Sequence, residues 1–134
     1  MKILFVCTGN TCRSAMAAAI AKNEYPELEF DSAGLAAETD SKASQNAVLA
    51  LAEKGIDLST HRSKQLTADI AQKADLIVPM TMSHASFLLS CGIDKNRIIL
   101  PDIDVCDPYG GDLDIYRSCR DQLYALVKKV CENL

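Results

Sequence analysis

Several features are missing from this chain, and each absence removes a class of function. No apolar run approaches the ~18–20 residues a helix needs to cross a bilayer, so a membrane-spanning protein is not expected. There is no surplus of positive charge: Lys and Arg number 14 against 18 Asp and Glu, a net charge of −4. Nothing in that balance provides a nucleic-acid or anionic-membrane surface. The six cysteines include no Cys-x-x-Cys pair. Neither His61 nor His84 stands at ligand spacing from a cysteine, so no zinc site is expected. The chain enters its first apolar stretch without a signal-peptide pattern, which makes the cytoplasm the expected compartment and reduced thiols the expected state. No repeat, linker or low-complexity segment interrupts the 134 residues, a length that suits one domain with a real core.

Apolar runs alternate with helical patterns. Ile3-Leu4-Phe5-Val6 reads as a buried strand, and the alanine-rich stretch 14–22 as a helix. Residues 28–30 read as a second short strand, 31–34 as the turn after it, and 35–41 as a loop. Ala43, Ala47, Val48, Leu51 and Ala52 recur at helical spacing, with Gly55 as the stop. A polar connector, 58–64, leads to a short helix capped by Thr67. A strand over 75–80, a helix over 83–90 and a strand over 97–100 follow, the last ended by Pro101. After the turn-rich segment 102–111, a final helix over 112–134 carries Leu113, Tyr116, Cys119, Leu123, Leu126, Val127 and Val130 as an apolar stripe. The alternation predicts an α/β fold: a single three-layer domain with a central parallel four-stranded sheet, order 2-1-3-4, and helices on both faces.

The first strand and helix are joined by Cys7-Thr8-Gly9-Asn10-Thr11-Cys12-Arg13-Ser14. A tight loop between a strand's carboxyl end and a helix's amino end is where open α/β sheets bind ligands. Free N–H groups and the helix dipole attract an anion there. They also favour negative charge on Cys7, and so its nucleophilic thiolate form. Arg13 is able to bridge two phosphate oxygens as a fork. Gly9 reads as the place where a side chain would crowd the substrate. Asn10 reads as a brace across the loop, and Ser14 as a hydroxyl donor to the departing thiolate. A buried structural cysteine is the plain alternative for Cys7, and the full octad between strand and helix argues against it.

The octad resembles the CxGNxCRS signature of low-molecular-weight protein tyrosine phosphatases. The resemblance continues through Ser32-Ala33-Gly34 and His61 to Asp107-Pro108-Tyr109, so that residues 1–134 correspond to one such domain. It implies in-line attack by Cys7 on phosphorus, a phosphocysteine intermediate, and stabilisation of the equatorial oxygens by Arg13 and the loop amides. It implies that Asp107 protonates the leaving group and then serves as base for water. It implies a supporting network of Asn10, Ser14, Ser32 and His61, and no metal or cofactor. His84, inside a predicted helix, carries no functional case, and Asp102 and Asp104 read as loop residues near the pocket entrance.

Thr11 stands where the tyrosine-specific branch typically has an aliphatic side chain. A hydroxyl there, near the Asp107 carboxylate, suits a polar guanidinium better than a phenyl face. The octad and Asp107-Pro108-Tyr109-Gly110-Gly111 also resemble the bacterial protein-arginine phosphatases of this family, although their aromatic after Asp-Pro is commonly Phe. Tyr109 suits an aromatic wall for either substrate. The expected activity is therefore hydrolysis of phosphorylated protein side chains, phosphoarginine preferred and phosphotyrosine the alternative, by a monomer. A thioredoxin-coupled arsenate reductase needs two further cysteines close together, which Cys91 and Cys106 are not. A non-catalytic phosphoprotein-binding module would be expected to lose Cys7 or Asp107. Cys12, on the same loop as Cys7, is a candidate for a reversible disulfide with it.

Overall fold

A computed structural model describes residues 1–134. Its sheet has three parallel strands, β1 (Lys2–Cys7), β2 (Glu29–Gly34) and β3 (Leu76–Pro79), in the order β2-β1-β3. Five helices accompany them: α1 (Arg13–Glu24), α2 (Gln45–Ala52), α3 (Ala68–Lys73), α4 (Met82–Ser90) and α5 (Leu113–Glu132). β1 is central, with Ile3 opposite Phe30 and Leu76, and Val6 opposite Ala33 and Pro79. A central parallel strand is covered on both faces and so must be apolar on both; Ile3, Leu4, Phe5 and Val6 are accordingly all buried. Alternate side chains enter different cores. Ile3, Phe5 and Cys7 pack with α1, α2 and α5, whereas Leu4 and Val6 pack with Ala71, Ala85 and Leu88 of α3 and α4. The result is three layers.

The alanines of α1 let it lie close to the sheet while α5 covers its other side; Ala15, Ala17, Ala18 and Ala21 are all buried. The predicted stripe of α5 is the buried one, with Tyr116, Cys119, Leu123, Val127 and Val130 in the core. Arg120 is the polar member of that face. Its guanidinium donates to the Ala50 carbonyl and to Glu53, which ties α5 to the end of α2. The Thr67 hydroxyl caps α3 by accepting the Ile70 N–H. At the other end of α3, Arg97 donates to the carbonyls of Ala71 and Ala74, where the helix dipole favours a cation.

Two expectations are corrected. The segment Asp31-Ser32-Ala33-Gly34, read as a turn, continues β2 and pairs in register with Leu4 to Cys7. Its turn-forming composition is overridden by the ladder to β1 and by Lys64, whose ammonium lies 2.5 Å from the Asp31 carboxylate. The expected fourth strand is reduced to a single bridge between Ile98 and Ile77, so the sheet is three-stranded. A 3-10 turn over Lys95–Arg97 consumes the start of that segment. Pro101, which has no N–H, prevents the ladder from continuing beyond it.

Candidate active site

β1 ends at Cys7 and α1 begins at Arg13, leaving five residues to wrap a loop around the Cys7 sulfur. The turn is made at Asn10, whose φ of 57° lies in the left-handed region. Three bonds hold that strained conformation. The Asn10 Oδ1 accepts the Lys64 N–H at 3.0 Å, its Nδ2 donates to Ser14 Oγ at 2.8 Å, and its carbonyl lies 2.7 Å from His61 Nε2. Asn10 is the position that tolerates left-handed backbone best after glycine. Held this way, its N–H points to Cys7 Sγ at 3.3 Å. Ser14 Oγ lies 2.9 Å from the same sulfur. Ser14 accepts from Asn10, and its own proton has two acceptors in reach, the Cys7 sulfur at 2.9 Å and, farther off, the Ala33 carbonyl at 3.5 Å. The N–H groups of Thr8, Gly9, Thr11 and Cys12 bond to no protein acceptor. Four free donors around one sulfur make the loop a receptor for an oxyanion.

Arg13, 6% exposed, opens α1 and reaches away from the helix. One of its guanidinium nitrogens donates to the Val105 carbonyl at 3.3 Å, and another lies 3.6 Å from the Asp107 carboxylate. The segment carrying Asp107 is tied down along its length. The Val105 N–H donates to the Met80 carbonyl, and the Cys106 N–H to Gln122 Oε1. Asp104 accepts the Met82 N–H at the start of α4, and Asp102 pairs with Lys129. The two carboxylates read as entrance residues therefore anchor the segment. Asp107 Oδ1 accepts the Tyr109 N–H at 3.1 Å, an Asx turn that directs the following residues outward.

The structure links Cys7, Asn10, Ser14 and His61 by hydrogen bonds and pairs Arg13 with Asp107, and it changes several details. Ser32 does not join the loop network: only its N–H is bonded, to its neighbour Asp31, and its hydroxyl has no protein partner. Thr11 makes no bond to Asp107; its hydroxyl lies 3.8 Å from Cys12 Sγ. Tyr109 is 80% exposed, two residues beyond the acid. The steric need for glycine lies at Gly34, where a Cβ would come 2.5 Å from the Thr8 carbonyl. At Gly9 the nearest protein atom to a Cβ would be 3.8 Å away. Cys7 and Cys12 are both free thiols, and Cys12 Sγ sits 2.9 Å from Ser44 Oγ and 3.3 Å from the Tyr116 hydroxyl. Burial, then the bond to Cys12, pushes the Tyr116 phenol up to about 12.

His84 is the residue sequence reasoning missed. Its Nε2 lies 2.9 Å from Thr8 Oγ1 and its Nδ1 3.0 Å from Thr81 Oγ1, linking α4 to the mouth of the loop. Burial, then the nearby Arg13, lowers its pKa below 6.5, so the ring bonds in its neutral form. A Thr-x-x-His pair at a helix start was the available signal.

The chemistry open to this loop is narrow. A sulfur nucleophile under free N–H donors, closed by an arginine that also contacts a carboxylate, makes this a site of the cysteine-dependent phosphatase class. Residues 2–134 match the model of the low molecular weight phosphotyrosine protein phosphatases, and the chain belongs to that family. It is 39% identical to a protein-arginine-phosphatase of Geobacillus stearothermophilus, over 99% of this chain and 95% of that one. The solved structure of an arginine phosphatase from that organism superposes with a TM-score of 0.92, covering 98% of this chain and 91% of the other. A low molecular weight protein-tyrosine-phosphatase of Staphylococcus aureus is also 39% identical, over 97% of this chain and 96% of its own. An arginine phosphatase solved as a cysteine-to-serine mutant with a phosphorylated active-site serine is 38% identical with a TM-score of 0.94, covering 100% of this chain and 95% of that one.

Proposed function

We propose that this protein removes phosphate from phosphorylated protein side chains, with phosphoarginine preferred, acting as a cytoplasmic monomer. The observation that carries the chemistry is the set of four unbonded loop amides around Cys7, closed by an Arg13 that touches Asp107. Cys7 attacks phosphorus, and the bond from phosphorus to the leaving nitrogen or oxygen breaks as Asp107 delivers its proton to that atom. Arg13 and the free amides hold the equatorial oxygens as charge spreads onto them. Water then attacks the phosphocysteine and loses its proton to Asp107; inorganic phosphate departs, and Ser14 donates to the returning thiolate.

The preference for phosphoarginine rests on Thr11, a polar side chain at the rim of the loop, and on the likeness to proteins named arginine phosphatases. Phosphotyrosine is the second reading. The equal identity to a tyrosine phosphatase supports it, as does the exposed Tyr109 ring two residues beyond Asp107, against which a phenyl group could stack. Turnover of matched phosphoarginine and phosphotyrosine peptides separates the two. Wild type should favour phosphoarginine, and Thr11→Ile should shift the ratio of kcat/KM toward phosphotyrosine by about tenfold. A wild type that ignores phosphoarginine overturns the preference. Cys7→Ser should abolish turnover while still binding phosphopeptide; retained turnover would end the sulfur mechanism.

A further inference from the structure

Beside the loop lies a polar cavity of about 540 Å³ bounded by α1, β2 and the connector between α2 and α3. Ser32 is at its floor. The residue is 4% exposed, and its hydroxyl neither donates to nor accepts from any protein group. No sealed polar atom in the protein lacks a partner, so this hydroxyl is reached from the cavity. His61 forms part of the wall. Its Nε2 is engaged with the Asn10 carbonyl, while its Nδ1 has no protein partner. Two cations without acidic partners stand at the rim: Lys22 makes no ion pair, and Arg62 donates only to the His61 carbonyl. Of the two acids present, only Asp31 is paired with a cation. Asp31 is held by Lys64, and Asp57 accepts from the Ser59 N–H and hydroxyl.

The Ser32 hydroxyl, open to the cavity and bonded to no protein group, is available to a ligand there. The groups converging here are two free cations and a hydroxyl donor, against one carboxylate, Asp57, that no cation neutralises; His61 Nδ1 adds a donor only when the ring is protonated. That set complements an oxyanion. We propose that this cavity is a second site, taking the phosphate, sulfate or carboxylate group of a small ligand, and that its occupancy adjusts the catalytic loop. The route of adjustment is short. The cavity's His61 holds the carbonyl of Asn10, the one loop residue in left-handed backbone, and the Asn10 N–H touches Cys7 Sγ. Lys64, whose N–H fixes the Asn10 side chain, lines the same cavity. A ligand that draws on His61 therefore acts on the geometry around the nucleophile without entering the loop. The binding half of the proposal is independent of the catalytic reading; the coupling half rests on it.

The test separates the two sites. One equivalent of vanadate, which occupies the catalytic loop as an oxyanion, is added first, and the enzyme is then titrated with sulfate while amide resonances are followed by NMR. Saturable shifts centred on Ser32, His61 and Lys22 are expected, and a Lys22→Ala/Arg62→Ala enzyme should bind about tenfold more weakly, the scale of lost charge-assisted bonds. No saturable shift, or equal binding by both enzymes, overturns the site as an adventitious ion only. In steady-state hydrolysis of para-nitrophenyl phosphate, sulfate should raise KM in both enzymes by competing at the loop, and should alter kcat in wild type alone. An unchanged wild-type kcat overturns the coupling. A wild type that does not hydrolyse the substrate even without sulfate overturns the catalytic reading instead, leaving the NMR result to decide the site.

Discussion

At the mouth of the loop, Thr8 Oγ1 and His84 Nε2 meet across 76 residues of sequence. The ring is fixed in turn by Thr81, which also caps α4 by accepting the His84 N–H. Each bond orients the next, the arrangement by which a supporting side chain fixes one nearer the chemistry. His84 is thus a positioning residue. His84→Ala should lower kcat on an aryl phosphate by about tenfold with the fold intact by circular dichroism, the loss of one orienting bond near the transition state. His84→Gln, able to keep a bond to Thr8, should recover part of it. If His84→Ala lowers only the melting temperature and leaves kcat unchanged, the bond serves packing alone.

The catalytic loop was legible in the sequence because its chemistry is local: strand, octad and helix are contiguous, and Cys7, Asn10, Arg13 and Ser14 lie where spacing puts them. What was not legible depends on neighbours far along the chain. The continuation of β2 through Gly34 is decided by pairing with β1, against a turn-forming composition. His84 acquires its role because α4 is delivered to the loop by β3, and Ser32 loses its expected one because its hydroxyl faces the cavity beside the loop. The glycines show the same division. Gly9 was read as leaving room for substrate, and an added Cβ there would meet no protein atom nearer than 3.8 Å, whereas the fold itself needs glycine at Gly34, where two elements touch. Gly34→Ala should therefore destabilise the protein by about 1–3 kcal/mol, as overpacking against fixed backbone does. Gly9→Ala should leave stability within ~0.5 kcal/mol of wild type and show any effect in KM. Urea denaturation of the two variants decides it: equal losses would mean that the β2–loop contact relaxes freely.

For the molecule as a whole, the charged and titratable groups predict how acid unfolds it. Burial lowers the pKa of both His61 and His84 below 6.5, with Asn10 opposing the shift at His61 and Arg13 adding to it at His84. The unfolded chain then takes up these protons first as pH falls, so their contribution is fully present above about 6.5 and is lost through the folded values below it. A second stage lies lower. Hydrogen bonds from Arg117 and then Arg120 hold Glu53 down at about 2 against an ordinary 4.5. Burial raises Asp31, but its bonds from Lys64 and the Ser32 N–H outweigh that and leave it lowered. Both contribute stability above the ordinary carboxylate range and lose it as pH falls through their folded values. Net charge works in the opposite direction: acid first neutralises the −4 present at pH 7, which relieves self-repulsion. A melting temperature that falls between about pH 7 and 5 therefore reports these two histidines and not the overall charge. Thermal unfolding by circular dichroism should show that fall in wild type and a second one at lower pH. Glu53→Gln should keep the upper stage and flatten the lower. A wild-type melting temperature that stays level from about pH 7 to 5 would mean that His61 and His84 take up protons in place, without loss of the bonds that hold Asn10 and Thr8.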